Sequence, residues 1–528
     1  MTLLYSKHHD MVIYRDADPR LMLDHVPGAV VFNGGCVAVP FNLPTMQVCR
    51  NLGLPAVSPI RAHYDWPIHP GLKPMAHQLA MAEFLTLHPR CFNLSDMRTG
   101  KTLAALWAFH WLKLQGIVDK GLVVAKLSTL ERVWLRELLA HFIGRLSGIV
   151  LSGTRDQRAA SLDTRDADVY IINYDGLCIG TQRGHHGVVL GPLAQQLVER
   201  QDISCVIVDE SATLRNAGTR RWKVMRQVVR AKPYVWQLTG TPTPNAPTDA
   251  HGQKRLVFQV EPWPAFRART MVQFGPFKWV PQRGAAEVVA KFLQPSIRFA
   301  RRDVMELPPL VYDPPIEVPL TKEQVKLIRE MKAELQIRLD EGAEINAANE
   351  ATLRIKLIQI LCGAIYDSAH EAHFIDASPR LEMLLEVIEE AGGKVLVFAP
   401  LTAVVRMVTT FLQRHTVATE RITGATSAKD RNDIFRRFND EGEPRVLIAD
   451  PGTVAHGLDL SAANTIIWYG PTDRVEDYVQ ANQRIAGPNQ RRGMLIVRFA
   501  STSIERTIFD RLDNKQSLQG VILDLVKT

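Results

Sequence analysis

A chain of 528 residues, 46% hydrophobic and 22% charged, has material for several packed cores and is neither a disordered nor a collagen-like polymer. No apolar run approaches the roughly 18 residues of a membrane span, the opening MTLLYSKHHD breaks off into charge too early for a secretory signal, and the six cysteines (Cys36, Cys49, Cys91, Cys178, Cys205, Cys362) show neither zinc-ligand nor disulfide spacing. The net charge of +8 is spread thinly, with pairs such as Arg301-Arg302 and Arg491-Arg492 but no basic tail, so any polyanion-binding surface must be assembled by folding.

In chain order, residues 1–70 carry short apolar runs rich in Gly and Pro (VPGAVVFNGGCVAVPFNLP), which predict a small β-rich accessory domain. From about residue 92 the runs CFNLSD, GLVVAK, GIVLSG, DVYIINY, CVIVDE and YVWQLTG alternate with helical or loop segments, the signature of a parallel sheet with crossover helices over 71–250. Residues 251–390 change texture: a stretch rich in Pro and aromatics, then the periodic helix LTKEQVKLIREMKAELQIRLDEG and a second near SPRLEMLLEVIEEAGG, read as connector and helical insert. A second series over 391–528, KVLVFA, ERITG, RVLIAD, TIIWYG and LIVRFA, predicts a second sheet. The expected architecture is α/β, two doubly wound parallel sheets in tandem.

The first chemical signal is SDMRTGKT, Ser95 to Thr102, between the strand CFNL and the helix LAALWAFHWLKL. A Gly-containing loop at a helix start aims backbone N–H groups at one point, a phosphate cradle formed here with Thr99 and Gly100. Lys101 reaches the outer phosphates and Thr102 suits Mg²⁺. Ser95 stands where such loops usually begin with glycine, so a chance Gly-Lys-Thr remains the alternative.

The second signal is VIVDESATLRN, in which a β-branched run ends on two acids, Asp209 and Glu210. In a parallel sheet the ligand lies beyond the carboxyl ends of the strands. Asp209 suits the metal and Glu210 suits a base for water, as phosphoryl transfer requires; an exposed acidic turn is the alternative. A third segment, QLTGTPTPN, adds the hydroxyls of Thr239 and Thr241, read as a link between the nucleotide and whatever the protein grips.

Together these segments resemble the superfamily-2 helicases, DEAD/DEAH-box in the broad sense, and more narrowly the SWI/SNF-like DNA translocases, over about residues 70 to 510. LKPMAHQ is similar to the segment whose glutamine, here Gln78, recognises adenine; LVVAKLSTLERVWLRE and IINYDGL resemble the next motifs. Where members often read DEAH, this chain has DESA, with Ala212 in place of the histidine that relays nucleotide state. RFARRDVMELPPLVYDPPIEVPLTKEQ resembles the connector of the SWI/SNF-like branch. RITGATSAKDRNDIFRRFN, IADPGTVAHGLDL and YVQANQRIAGPNQ resemble the later motifs, which implies Gly457 and Asp459 at a lobe interface, with Gln480 and Arg484 opening the last motif. The P-x-x-x-x-H-G-L-D-L form is similar to bacteriophage and bacterial members. Gly487 replaces the second arginine of that motif, leaving Arg484, or else Arg491 or Arg492, to meet the γ-phosphate.

The resemblance implies two RecA-like P-loop lobes, ATP and Mg²⁺ as cofactors, and a DNA-dependent ATPase that translocates on double-stranded DNA in replication, recombination or repair. Branched or single-stranded DNA remains an alternative track. A strand-separating or annealing helicase, and a nucleotide-gated DNA-binding scaffold with little turnover, are the rival readings. Ser128, Thr129, Thr402 and Thr453 are candidates for phosphate-backbone contact, equally explained as ordinary loop hydroxyls. No membrane partner is expected, and the protein is read as a monomer in a bacterial or phage-infected cytoplasm.

Overall fold

The β-branched runs become strands of two separate parallel sheets, whose central strands are buried on both faces. In Ile203–Asp209, Cys205 and Ile207 enter one core while Val206 and Val208 enter another. Burial on both faces is why these strands read as continuous apolar runs and not as alternating ones. The computed structural model describes all residues except 1, 7, 16, 33–34, 165, 185–186, 276–278, 341–346, 368, 455–459, 488–489 and 527–528. The chain divides into one unit of residues 1–304 with 519–528, and a second of 305–518.

In the first unit the seven strands run in the order Ser296–Ile297, Arg90–Asn93, Tyr234–Leu238, Ile203–Asp209, Lys120–Ala125, Val169–Asn173, Gly148–Val150. Six of these are the predicted runs. The edge strand Ser296–Ile297 is new: it is two residues long, so no periodicity announces it, and pairing with Phe92 and Asn93 alone defines it.

The helix Lys101–Leu114 is apolar all round, and every residue from Leu103 to Leu112 is buried. Such a helix needs cover on every side. The sheet provides one side, and the N-terminal segment the other. That segment forms a four-stranded antiparallel sheet, ordered Thr2–Ser6, Met11–Arg15, Cys36–Pro40, Val30–Phe32, whose Val12, Tyr14, Val37 and Val39 belong to the same core as the helix. Polar ends are satisfied on the way: the Trp107 indole donates to the Pro67 carbonyl at 2.6 Å, and the Tyr64 hydroxyl meets His110 Nδ1 at 2.7 Å. The accessory segment thus clamps the helix whose first residue is Lys101.

The second unit holds a sheet of seven strands, in the order Leu310–Tyr312, Met494–Ala500, Ala463–Trp468, Lys394–Phe398, Val446–Ala449, Thr419–Ile422, with Ile316–Glu317 also on Met494–Ala500. The two short strands from the connector were not legible beforehand. The predicted insert helices stand as Lys322–Asp340 and Ser378–Glu390, with a further helix, Ala347–Cys362, between them. Ile328, Leu357, Ile360, Leu361 and Ile375 form a small core of their own beside the sheet. Among the described residues no helix is long and apolar enough to cross a membrane.

Candidate nucleotide site

Parallel register brings the chemical residues to one edge of the first sheet. Asp209 is in register with Leu238, and Leu238 with Asn93, so the acid pair, the Thr-Gly-Thr-Pro turn and the phosphate loop leave three neighbouring strands at the same end. The loop is stiffened from below. Asn93 Oδ1 accepts from the Ser95 amide at 3.1 Å, the Thr99 hydroxyl donates to the Asp96 carbonyl at 2.8 Å, and Gly100 turns into the helix at φ +79°. A Cβ on Gly100 would press on the Gln78 carboxamide, so the loop and the predicted adenine-reading glutamine are in direct contact. Gln78 also accepts from the Met75 amide at 3.1 Å.

Ser95, the departure from glycine, has a positive reason. Its hydroxyl accepts from the Phe299 amide at 3.0 Å, stitching the loop to the segment that follows the edge strand. Asp96 continues the seam: its carboxylate meets the guanidinium of Arg298, a side chain 5% exposed, at 2.7 Å and the Arg301 amide at 2.9 Å. An acid inside a phosphate loop repels phosphate unless a cation answers it, and Arg298 does so. His77, buried against Phe299, donates through Nε2 to the Thr99 carbonyl at 3.0 Å. Burial pulls its pKa down, keeping the ring neutral.

Lys101 points its ammonium at the loop, donating to the carbonyls of Ser95 and Asp96 at 2.8 and 2.9 Å. Burial lowers its pKa, and the charges of Glu210, Asp209 and Asp96 oppose that shift. The lysine and the acid pair therefore share one desolvated space. Asp209 accepts from the Trp134 indole at 2.9 Å and from the Glu210 amide at 3.1 Å, and its carbonyl accepts from the Tyr174 hydroxyl at 2.6 Å. Burial nonetheless raises its pKa, because these donors and Lys101 offset only part of the lost hydration. A carboxylate so desolvated favours an added cation.

Glu210 sits at φ +50°, in the left-handed region, where the strand breaks into the short helix Ser211–Leu214. A non-glycine residue there costs about 1–2 kcal/mol, and the strain lies at the acid that the sequence nominates as base. The Thr239 hydroxyl lies 3.5 Å from Glu210 Oε2 and accepts from the Thr241 amide at 3.1 Å. The Thr241 and Thr243 hydroxyls are buried without a hydrogen-bond partner, and buried polar groups left so are costly unless a ligand or water meets them.

The Ser-Ala after the acids now has a structural account. Ala212 is fully buried, and the Ser211 hydroxyl donates to Gln253 Oε1 at 3.1 Å. Gln253 in turn donates to the Pro242 carbonyl at 2.5 Å, and Gln237 donates to its backbone carbonyl at 2.9 Å. One fully buried carboxamide thus spans from the acid segment to the Thr-Gly-Thr-Pro turn. The neighbouring Gly252 allows this closeness: a Cβ there would stand 2.0 Å from the Arg215 carbonyl oxygen. Gly252→Ala is expected to push the helix Asp249–Val257 off the acid segment and to cost about 2 kcal/mol or more, as backbone clashes in packed interiors do. A denaturation midpoint unchanged from native in urea would contradict it.

In the second unit Gln480 is fully buried and donates to Glu476 at 3.4 Å; Arg484 is buried just after the helix Val475–Asn482, its carbonyl accepting from the Leu460 amide at 3.2 Å. The Gly487 carbonyl accepts from the Gln490 amide at 3.0 Å. Gln490 pins this loop, donating to the carbonyls of Ser461, Ala463 and Ile485 and accepting from the amides of Arg491 and Arg492. Arg492 reaches the Gly392 carbonyl at 3.1 Å, just before the strand Lys394–Phe398 begins. Gly457 and Asp459 fall outside the described residues.

The hydroxyls of Thr129 and Thr453 donate to the carbonyls of Lys126 and Asp450, Ser128 is half-buried, and Thr402 is exposed at the start of its helix. Sequence reasoning missed His77, Trp134, Gln253 and Arg298. Each acts on a partner far along the chain or through a backbone atom, and no local spacing marks such a role.

Known proteins resemble this chain over most of its length. Residues 88–359 match the model of the SNF2-related domain, and residues 379–487 that of the helicase conserved C-terminal domain. A protein of Acyrthosiphon pisum secondary endosymbiont phage 1, named putative protein p41, is 27% identical over 462 residues, covering 82% of this chain and 94% of its own length. Human chromodomain-helicase-DNA-binding protein 7 is 24% identical over 465 residues, and helicase SWR1 of Saccharomyces cerevisiae 29% over 145. The matches cover 82% and 27% of this chain but span only 15% and 10% of the length of those eukaryotic proteins. Among solved structures, the Sulfolobus solfataricus SWI2/SNF2 ATPase core in complex with dsDNA aligns at 17% identity and a TM-score of 0.39, covering 87% of this chain and 94% of that one. With the SNF2-related model spanning more than half of its residues, the chain belongs to the SNF2-related family of helicase-type ATPases.

Proposed function

We propose that this protein is a DNA-stimulated ATPase that moves along double-stranded DNA. What supports the reading is the convergence of Lys101, Asp209 and Glu210 at one sheet edge, beyond a loop that presents backbone donors to phosphate. Lys101 exchanges its two carbonyl partners for the outer phosphates of ATP. Asp209 and Thr102 would hold Mg²⁺, a fit favoured by the Asp209 carboxylate, whose pKa desolvation raises. When bound, the ion supplies positive charge against the phosphate oxygens.

Glu210 takes a proton from the attacking water as its oxygen bonds to the γ-phosphorus; the bond from that phosphorus to the bridging oxygen breaks, giving ADP and phosphate. Gln78 reads the adenine from the loop side. In the second unit Arg484 is the candidate for the γ-phosphate charge, with Gln480 beside it, since Arg492 is engaged at the amino end of its own sheet. Thr239 and Thr241 link the hydrolytic acid to the rest of the lobe, with Gln253 standing in for the histidine that Ala212 replaces. DNA contacts are to the phosphate backbone, so sequence preference is weak.

The test is displacement of a triplex-forming strand from duplex DNA. ATP-dependent displacement without opening of the duplex is expected. Strand separation with no triplex displacement would overturn the reading in favour of a helicase, and neither activity would leave a nucleotide-gated scaffold.

A further inference from the structure

From residue 211 to residue 248 there is no Asp or Glu, yet the stretch contains Arg215, Arg220, Arg221, Lys223, Arg226, Arg230 and Lys232, in a chain whose acids overall number 55 against 63 bases. Most of these cations lie on the helix Arg220–Arg230. Its inner face is packed through Trp222, Val224, Met225, Val228 and Val229. Arg220, Lys223, Arg226 and Arg230 follow at steps of three, three and four residues, so they share the opposite face. Arg220, Lys223 and Arg230 are exposed, as is Arg255 on the adjoining helix, which lies over the Trp222 ring at 5.4 Å.

Ordinary surfaces intersperse the two signs, and a solvated basic face normally carries carboxylate partners. On the helix Arg220–Arg230, among the described residues, Arg221 alone has one, Asp175 at 2.7 Å. Among the described residues Arg220, Lys223, Arg226, Arg230 and Arg255 form no ion pair. Arg226 is spent on the Leu256 carbonyl, and Arg90, at the start of its strand, on the carbonyls of Val257, Val229, Arg230 and Lys232. Burial lowers the Arg226 pKa, and the charges of Arg230 and Arg255 push it the same way, so these cations feel one another. A like-charged row held rigid on a packed helix costs stability, and it is offset when a polyanion binds.

The geometry points to this helix face as a second grip on duplex DNA, taken through the phosphate backbone and separate from the nucleotide site. Ten residues of helix extend about 15 Å, and phosphates follow at about 3.4 Å of axis per base step on each strand, so the row runs alongside four or five base pairs. Gln227, exposed on the same face, donates to the Val188 carbonyl at 3.3 Å and keeps a second amide proton for a phosphate. The inference rests on the DNA-motor reading and adds a surface that the nucleotide chemistry does not require.

The test measures binding of the full chain, without nucleotide, to a labelled duplex across a range of salt. The triple variant Arg220→Gln, Lys223→Gln, Arg230→Gln alters exposed side chains only. The slope of log affinity against log salt is expected to fall by about 2–3 relative to native, close to 0.9 per lost phosphate contact, and ATP turnover at saturating DNA to stay within twofold. An unchanged slope and affinity in the triple variant, while the native chain binds duplex, would overturn this surface and leave the motor reading intact. A native chain that binds no duplex would overturn both.

Discussion

Glu210→Gln is expected to lower ATP turnover by about 10²–10⁴-fold, the range that a positioned general base contributes, while nucleotide affinity is kept. Glutamine has the shape of glutamate and retains a carboxamide oxygen for the Thr239 hydroxyl 3.5 Å away, so the left-handed turn at residue 210 and the helix after it have no reason to move. What is lost is the ability to take a proton from water, together with one negative charge in the space that Lys101 and Asp209 share. Lys101→Ala separates the two effects. It removes the group that meets phosphate, so nucleotide affinity falls along with rate. A Glu210→Gln protein that hydrolyses ATP within threefold of native would remove this residue from the reaction and return the acid pair to the status of a structural turn.

The largest effect on stability is expected in the second unit, at Arg380. Its side chain is buried to 2% exposure and Glu505 to 0%. The guanidinium meets both Glu505 oxygens at 2.9 and 3.1 Å, the Ser501 hydroxyl at 2.8 Å and the Tyr469 carbonyl at 2.7 Å; the Ser501 amide completes the carboxylate at 2.7 Å. The pair ties the insert helix Ser378–Glu390 to the helix Ser503–Val526 across the end of the strand Ala463–Trp468. Removing one partner leaves a buried charge uncompensated, which costs about 3–5 kcal/mol. Arg380→Ala should therefore unfold the second unit at markedly lower urea, whereas Arg380→Met with Glu505→Leu should recover most of the loss. If the single variant lost less than about 1 kcal/mol, or if the double variant were no better than the single, the pair would not be the tie described.

Much of the architecture was legible because burial on both faces of a parallel sheet writes itself as short apolar runs, and helices such as Lys322–Asp340 carry their own periodicity. The short strands Ser296–Ile297, Leu310–Tyr312 and Ile316–Glu317 were not, since pairing with distant strands defines them, and two or three residues leave no pattern. At the site, Lys101 and the Asp209–Glu210 pair stand out because their chemistry is compressed into adjacent residues at strand ends. Their supports do not. Arg298 answers Asp96 from 202 residues away, Trp134 answers Asp209 from 75, and Gln253 answers Ser211 from 42. Arg380 illustrates the same limit, an arginine within an amphipathic helix that reads as surface until Glu505 is placed beside it.

The most direct measurement of the central claim is steady-state phosphate release from ATP by the full native chain, with and without duplex DNA. If the phosphate loop and the acid pair form the engine of a DNA motor, release rises with duplex to a plateau, and both the basal and the stimulated rates fall by about 10²–10⁴-fold in Glu210→Gln. A rate indifferent to duplex and to that substitution would contradict the account.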